Sequence, residues 1–284
     1  PCSSRGSGPP KWPMTSSRPR ILARPERIVL YEDPATPVLD LTELAAYLRQ
    51  VTGLEVATRS EFFSHHGVLD LENLANRMAH LKVKDLYHEE QKFPPLLGDI
   101  DIERRLLLDP RKRLPGILYD GFRFQTLMRS FLPEAERTLR TVHLSFTPRL
   151  ISTFDAGDRV YHARVIVCGL PALASTSGVV EGPAKPKAFY VAKRRYSAMG
   201  VAPPTELLKE ELAGQFIDYD DERLTEVFRG YALQALFFSL VGNPFCEDPA
   251  CQLFNAHWQQ EMIEAQVQSG ALCDVHARFL PVGA

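Results

Sequence analysis

Apolar residues in the first third of the chain follow two spacings in turn, one typical of strands and one typical of helices. Residues 27–33, RIVLYED, predict a strand, and the leucines of residues 39–52 share one helical face that ends at Gly53. Residues 54–62, LEVATRSEF, predict a second strand, and residues 70–86 predict a second helix. This strand–helix–strand–helix order indicates an α/β fold, with helices packed on a β-sheet.

The middle of the chain has a weaker pattern. Residues 87–115 are irregular and predict a surface excursion around one short helical piece. Residues 141–155 and 161–175 are rich in apolar and β-branched side chains and predict strands, which a DAGD turn separates. Residues 187–200, KAFYVAKRRYSAMG, mix basic and aromatic side chains. We interpret them as a solvated strand edge, and binding of RNA or an acidic peptide is the alternative.

The last third of the chain predicts helices. One is expected in PPTELLKEEL, residues 203–212, and a longer one begins in FIDYDDER, residues 216–223, whose carboxylates are expected to cap it. From Leu233 to Gly242 this longer helix is apolar on every face, which indicates a helix buried inside the domain. A last helix is predicted over residues 252–268.

The composition is that of an ordinary soluble globular protein. The 284 residues are 45% apolar and 24% charged, and a net charge of −2 predicts no nucleic-acid or membrane partner. Residues 1–24 are rich in Pro, Ser, Gly and Arg and lack the apolar core of a secretory signal. They predict a disordered tail before a single domain over residues 25–284, with a cytoplasmic location. Cysteines in that compartment are more often metal ligands or free thiols than disulfides.

Three cysteines and a histidine near the C-terminus have the spacing of a structural zinc site. The pattern is C-x4-C-x21-C-x2-H, formed by Cys246, Cys251, Cys273 and His276. Thiolates and imidazole close the tetrahedral shell of structural zinc, and a close pair allows one loop to supply two ligands. The sequence therefore predicts one structural zinc, with His257 as the alternative fourth ligand. Cys2 lies in the tail and Cys168 in an apolar strand, so neither is expected to bind metal.

The region around these ligands resembles the C-terminal part of the archaemetzincins, relatives of the metzincin zinc peptidases. That family carries H-E-x-x-H-x-x-G-x-x-H-C, then a second Cys, then a C-x-x-C pair further on. Laid on this chain without gaps, the motif covers residues 235–246, with Gly242 and Cys246 on its Gly and Cys. Cys251 falls on the second Cys, and Cys273 and His276 fall on the final pair, with His in place of the last Cys. The resemblance implies a metzincin-like single domain with a mixed, twisted β-sheet, packed helices and a C-terminal helical zinc-binding part at about residues 205–284.

The chain departs from the family at every catalytic position. Ala235, Ser239 and Phe245 stand where the three zinc-binding histidines belong, and Leu236 replaces the glutamate that takes a proton from the zinc-bound water. Ala, Leu and Phe cannot bind a metal, and Ser is a poor neutral ligand. The resemblance therefore implies no catalytic zinc here, although it leaves open whether the protein is an enzyme. We expect a pseudoenzyme of the metallopeptidase-like type, which binds a peptide or protein partner.

Two other function classes stay open. A working metal-dependent peptidase or hydrolase could assemble a non-standard centre from histidines distant in sequence: His65, His66, His143 and His162. Metal content separates these classes, since one zinc per chain favours the structural site alone and two favour the hydrolase. A nucleotide-binding or small-molecule-binding α/β protein is the third class, and the chain has no glycine-rich phosphate-binding motif to support it.

Overall fold

The computed structural model describes residues 21–91, 93–202, 208 and 210–281. Its strands are β1 (Arg27–Tyr31), β2 (Glu55–Arg59), β3 (Leu118–Asp120), β4 (Thr141–Thr147), β5 (Leu150–Asp155), β6 (Val160–Ala163), β7 (Ile166–Val167) and β8 (Ala172–Ser175). Its helices are α1 (Leu41–Thr52), α2 (Phe62–His65), α3 (Leu71–Ala79), α4 (Leu97–Leu108), α5 (Gly121–Arg129), α6 (Thr176–Glu181), α7 (Lys187–Ala198), α8 (Leu224–Val241), α9 (Gln259–Ile263) and α10 (Asp274–Ala277). A 3-10 turn covers Glu134–Glu136, and a π-helical turn covers Glu264–Ser269.

The main sheet is mixed, with strand order β2-β1-β4-β8-β7. The first four strands are parallel, and the edge strand β7 runs antiparallel to β8. Tyr31 at the end of β1 pairs with Arg59 of β2 on one side and with Ser145 of β4 on the other. A smaller sheet has the order β3-β5-β6. The α/β fold class and the mixed sheet predicted from the sequence are therefore confirmed.

Two hydrophobic clusters cover opposite faces of the main sheet, because side chains alternate between the faces along each strand. Ile28 and Leu30 of β1 face the first cluster, which also contains α1 and α8. Val29 and Tyr31 of β1 face the second, which is built by α2, α3 and α5. The sheet consequently separates α8 from everything that lies against the second cluster.

Helix α8 is buried on nearly all sides, as the sequence predicts. Fourteen of its eighteen residues are buried, among them the polar side chains of Gln234 and Ser239. Gly242 ends the helix in the left-handed conformation at φ 77°, and its N–H donates to the carbonyl of Phe238. The glycine of the motif thus has a structural role that needs no metal.

Several element boundaries predicted from the sequence are wrong. Residues 187–198 form helix α7, not a strand edge, and the half-buried Phe189, Ala192 and Tyr196 recur along it at helical spacing. The strand at 54–62 ends at Arg59, after which α2 begins. The helix at 70–86 ends at Ala79, because Lys82 and Val83 pair with β3 instead.

Three further expectations are also corrected. The region 87–115 contains the predicted helical piece as α4, but it is not a surface excursion, because α4 packs on α3 and carries Glu103 into the interior. The last helix begins at residue 259, not 252, because the preceding residues form β-bridges. No carboxylate caps helix α8, because its N-cap residue is Arg223. The Asp221 carboxylate accepts the backbone N–H of Arg223, which precedes the first helical residue.

Some expectations fall on residues that the structure does not describe. These are most of the predicted tail, residues 1–20 with Cys2, and residues 203–207 and 209 of the helix predicted in PPTELLKEEL. Among the helices that are described, none has the length and apolarity needed to cross a membrane.

Candidate metal centre

The loops that follow α8 bring the four sequence-predicted ligands together. The backbone N–H of Cys246 donates to the carbonyl of Leu253, which closes a loop around the first cysteine pair. Cys251 forms a parallel β-bridge with Ala271, and this bridge carries the chain back to Cys273 after the short helix α9. The last helix is therefore shorter than predicted, and the two ligand pairs meet for this reason.

The distances between the donor atoms fit one tetrahedral ion. All four donor atoms lie within 4.8 Å of one another. The Sγ atoms of Cys246 and Cys273 are 3.9 Å apart, and Nδ1 of His276 lies 3.1 Å from Cys273 Sγ and 3.9 Å from Cys251 Sγ. Zinc–sulfur bonds of about 2.3 Å at tetrahedral angles place two sulfurs about 3.8 Å apart. The donor set and its spacing thus suit zinc, and Nδ1 is the imidazole atom that faces the sulfurs.

Hydrogen bonds around Cys251 favour its thiolate, which is the form that binds a metal. The Cys246 side chain, together with His276 and the backbone N–H groups of Cys273 and Leu253, lowers the pKa of Cys251 to about 3. The two N–H groups donate to Cys251 Sγ at 3.5 Å each. The hydrogen bond to Cys251 moves the pKa of Cys246 in the opposite direction, well above its usual value. Of these two thiols, Cys251 ionises first.

The structure places His276 with the cysteines and leaves the alternative ligand His257 outside the group. The imidazole of His276 packs edge-on against Phe237 of α8, with ring centroids 5.3 Å apart. His257 is exposed, and its backbone is held by bonds to Ala184 and Glu261. Cys168 also lies apart, and burial raises the pKa of its thiol to about 12. Such a thiol is inert as a nucleophile at neutral pH.

The four positions of the family's catalytic residues do not form a site. Ala235, Leu236 and Ser239 are only 2%, 2% and 3% exposed, and they belong to the packed body of α8. The Ser239 hydroxyl donates to the carbonyl of Ala235 one turn earlier. Phe245 points to the surface, 39% exposed. The helix therefore offers a substrate neither an open cleft nor a ligand.

Three of the four histidines named for a non-standard centre gather around Tyr31. The Tyr31 hydroxyl lies 3.0 Å from Nδ1 of His143 and 3.2 Å from Nε2 of His66, and the ring of His65 packs on its edge. His162 lies elsewhere, on β6. Within the described chain, the nitrogens of His65, His66 and His143 do not converge as the atoms of the cysteine group do.

The partners of His143 fix the direction of every hydrogen bond in this cluster. Its Nε2 lies 3.2 Å from the carbonyl of Glu136, which can only accept, so Nε2 carries the proton and Nδ1 accepts from the Tyr31 hydroxyl. The Tyr31 oxygen in turn accepts from Arg59 Nη1 at 2.9 Å and from Nε2 of His66. All nitrogens that face Tyr31 are thereby used in hydrogen bonds, so this is a polar network rather than a metal centre.

The structure also shows a small group that the sequence analysis missed as a unit. Asp155, Asp158 and His162 meet on the β5–β6 hairpin, with Nε2 of His162 3.2 Å from Asp158. The sequence predicts the DAGD turn, but it does not show the strand register that brings His162 to the two aspartates. The Asp155 carboxylate already accepts the N–H groups of Gly157 and Asp158, which explains the group as a turn.

A family match places the chain among probable metallopeptidases. Residues 24–281 match the family described as "Probable metallopeptidase family (DUF6775)". The crystal structure of a zinc-dependent peptidase from Methanocorpusculum labreanum (strain Z) aligns with a TM-score of 0.32 and 11% identity, over 89% of this chain and 98% of that chain. No match was found among curated proteins. Because the family match spans almost the whole described chain, the protein belongs to this probable metallopeptidase family.

Proposed function

We propose that this protein is an archaemetzincin-like pseudoenzyme of the cytosol, which holds one structural zinc and binds a peptide or protein partner. Cys246, Cys251, Cys273 and His276 would be the four zinc ligands. The fold would be metzincin-like, with α8 in the place of the helix that carries the catalytic motif. A structural ion in this position links the end of α8 to the last helix of the chain.

The proposal that the protein has no catalytic activity rests on the environment of α8. A catalytic zinc needs ligands that face a cleft and a position left open for water and substrate. Ala235, Leu236 and Ser239 offer no ligand, and packed side chains surround them. Loss of these ligands would leave the structural zinc unaffected, because its four donors lie beyond Gly242.

The donor set supports a structural ion over a catalytic one. Four protein ligands of the Cys3His type close the coordination shell, so no position is left for a substrate oxygen. Zinc, when bound there, supplies cross-linking between two loops and no Lewis-acid chemistry. The backbone N–H groups that donate to Cys251 orient this ligand and stabilise its charge.

Elemental analysis of the purified protein tests the metal site. We expect one zinc per chain in the wild type, and a content near zero together with loss of cooperative folding in Cys273→Ser. Cys168→Ser is the matched control, since this half-buried cysteine lies outside the ligand group, and it should retain one zinc. Equal zinc content in the two variants would refute the assignment of the ligands.

Peptidase assays test the proposed lack of catalysis. With saturating zinc and a mixed peptide library, we expect no cleavage above that of buffer containing zinc. Turnover that a chelator abolishes, together with two zinc ions per chain, would instead support the alternative of an active hydrolase with a non-standard centre. Variants of His66 and His143 would then lose this activity and identify the second centre, whereas Cys168→Ser would keep it.

A further inference from the structure

The strand order of the main sheet creates a crevice that is independent of the metal centre. The chain leaves β1 toward β2 on one side, and after α5 it returns to β4 on the other side of β1. The connections therefore diverge between β1 and β4. In open parallel sheets, ligands bind outside the carboxyl ends of the strands at such a switch point.

A cavity of about 200 Å³ occupies this position. Residues that directly follow β1 and β4 line it, including Pro34 and Arg149, and the buried Ser145 contributes from within β4. Phe63, Phe124 and Met128 of the second hydrophobic cluster supply an apolar wall. The volume is far above the ~10–15 Å³ that one water molecule needs. Because the sheet lies between this cavity and α8, no residue of the metal centre contributes to it.

The cations that line the cavity already have partners. Arg149 donates through Nε and Nη2 to the Glu103 carboxylate, at 3.3 and 3.1 Å. Lys112 lies 3.7 Å from the Asp109 carboxylate. An anionic ligand would have to compete with these carboxylates for the same charges.

The carboxylates at the cavity differ in how far they are neutralised, since the charge of Arg113 acts on Asp33 and that of Arg149 on Glu61. Asp33 accepts the hydroxyls of Thr36 and Thr176, both at 2.8 Å, and Glu61 accepts the N–H and hydroxyl of Ser64. Glu32 is exposed, and its carboxylate forms no hydrogen bond or ion pair with any described residue. The rim therefore has an excess of negative charge next to an apolar wall.

From this combination we infer that the switch-point cavity binds a primary amine that carries an apolar group. The ammonium would lie at the rim beside Glu32 and Glu61, and the apolar group would pack against Phe63, Phe124 and Met128. A peptide N-terminus with an apolar first residue and a free arylalkylamine share this chemistry. The inference goes beyond the proposed function, because it needs neither zinc nor the degenerate motif.

Calorimetric titration of the full-length protein with 2-phenylethylamine tests this site. We compare it with 3-phenylpropionate and 2-phenylethanol, which keep the aromatic group and replace the charge. The amine should bind at least about tenfold more tightly than the carboxylate. A second pair of ligands, leucinamide and N-acetyl-leucine, repeats the comparison for a peptide-like amine. The affinities of leucinamide and 2-phenylethylamine then show whether the site prefers a peptide N-terminus or a free arylalkylamine.

Two variants locate the binding. Glu32→Gln removes the exposed carboxylate and should weaken amine binding about fivefold without changing the fold. Glu55→Gln is the matched control, since Glu55 is an exposed residue at the opposite end of the sheet. Ser145→Met fills the cavity and should abolish binding, with circular dichroism to verify the fold.

Three results would overturn the inference. One is no heat of binding at the highest soluble amine concentration, and another is equal or tighter binding of 3-phenylpropionate. The third is full-strength amine binding by both Glu32→Gln and a folded Ser145→Met, which would place the ligand elsewhere. If Ser145→Met does not fold, the amine affinities of Glu32→Gln and Glu55→Gln are compared instead, and equal affinities would overturn the inference.

Discussion

The buried imidazole of His143 should make the protein lose stability as the pH falls below neutrality. Burial lowers the pKa of His143 to about 4, and the Glu136 carboxylate only partly opposes this effect. A proton added to Nδ1 would point at the Tyr31 oxygen, which already accepts from Arg59 and His66. The Tyr31 hydroxyl would then lose its acceptor.

The sign and size of the effect follow from the pKa values of the two states. The unfolded chain has an ordinary histidine pKa of about 6.5, so between pH 6.5 and 4 the unfolded state binds the proton and the folded state does not. The free energy of unfolding is therefore highest above pH 6.5 and decreases as the pH falls toward 4. A pKa of about 4 for His143 corresponds to about 3 kcal/mol in total, of which about 2 kcal/mol is lost by pH 5.

Urea unfolding at a series of pH values from 7.5 to 5 measures this loss. His143→Gln removes the titrating group and keeps a donor for the Glu136 carbonyl, so we expect it to be less stable at neutral pH but less sensitive to acid. The difference in unfolding free energy between wild type and variant should shrink by about 2 kcal/mol across the series. His88→Gln is the control, since His88 is an exposed histidine paired with Asp85 on the surface.

Parallel pH profiles of the wild type and His143→Gln would refute the reasoning. That result would mean that His143 is protonated in the folded state or that its network rearranges at no cost. A profile for His88→Gln that differs from the wild type would show instead that surface groups dominate the pH dependence.

Two further predictions concern groups that the fold buries. Glu103→Gln removes the carboxylate that pairs with Arg149 and leaves the buried Lys82 with only the longer contact to Asp99 at 3.7 Å. We therefore expect a loss of about 3–5 kcal/mol in urea unfolding, and an unchanged midpoint would contradict it. Gly230→Ala would place a Cβ 1.7 Å from the Gln266 side chain and 2.6 Å from a backbone carbonyl, which should cost about 1–3 kcal/mol by the same assay. Gly98→Ala, in the open part of α4, is its control and should not destabilise.

The elements that the sequence predicts best are those with a long, uniform pattern. Residues 39–52 and the apolar part of α8 each present one consistent period, and both helices occur in the structure. The sequence does not predict helix α7, because its aromatic and β-branched residues favour strands locally, whereas the spacing of the half-buried Phe189, Ala192 and Tyr196 is helical. Local propensity and the spacing of the half-buried side chains disagree in that segment, and the spacing agrees with the structure.

The residues of the cysteine group could be named from the sequence because their spacing is short and their chemistry is rare. The position of the cavity at the switch point could not be predicted, since it depends on the order in which β1, β2 and β4 pair. The network around Tyr31 is equally hidden: His66 and His143 are 77 residues apart in the numbering, and only the register of the sheet brings them to one phenol. Long-range pairing of this kind leaves no periodic signal.

The place of the metal centre in the core explains why zinc would matter to the whole fold and not only to the C-terminal loops. Helix α10 has no buried residue, so apolar contacts of its own cannot fix it. Yet Cys251 itself, and Leu253 and Met262 between the two ligand pairs, are fully buried in the first hydrophobic cluster together with α8. If the loops separate, these side chains lose their packing and α8 is exposed on that side. If Cys273 is a zinc ligand as proposed, its substitution should therefore act on the core through α8.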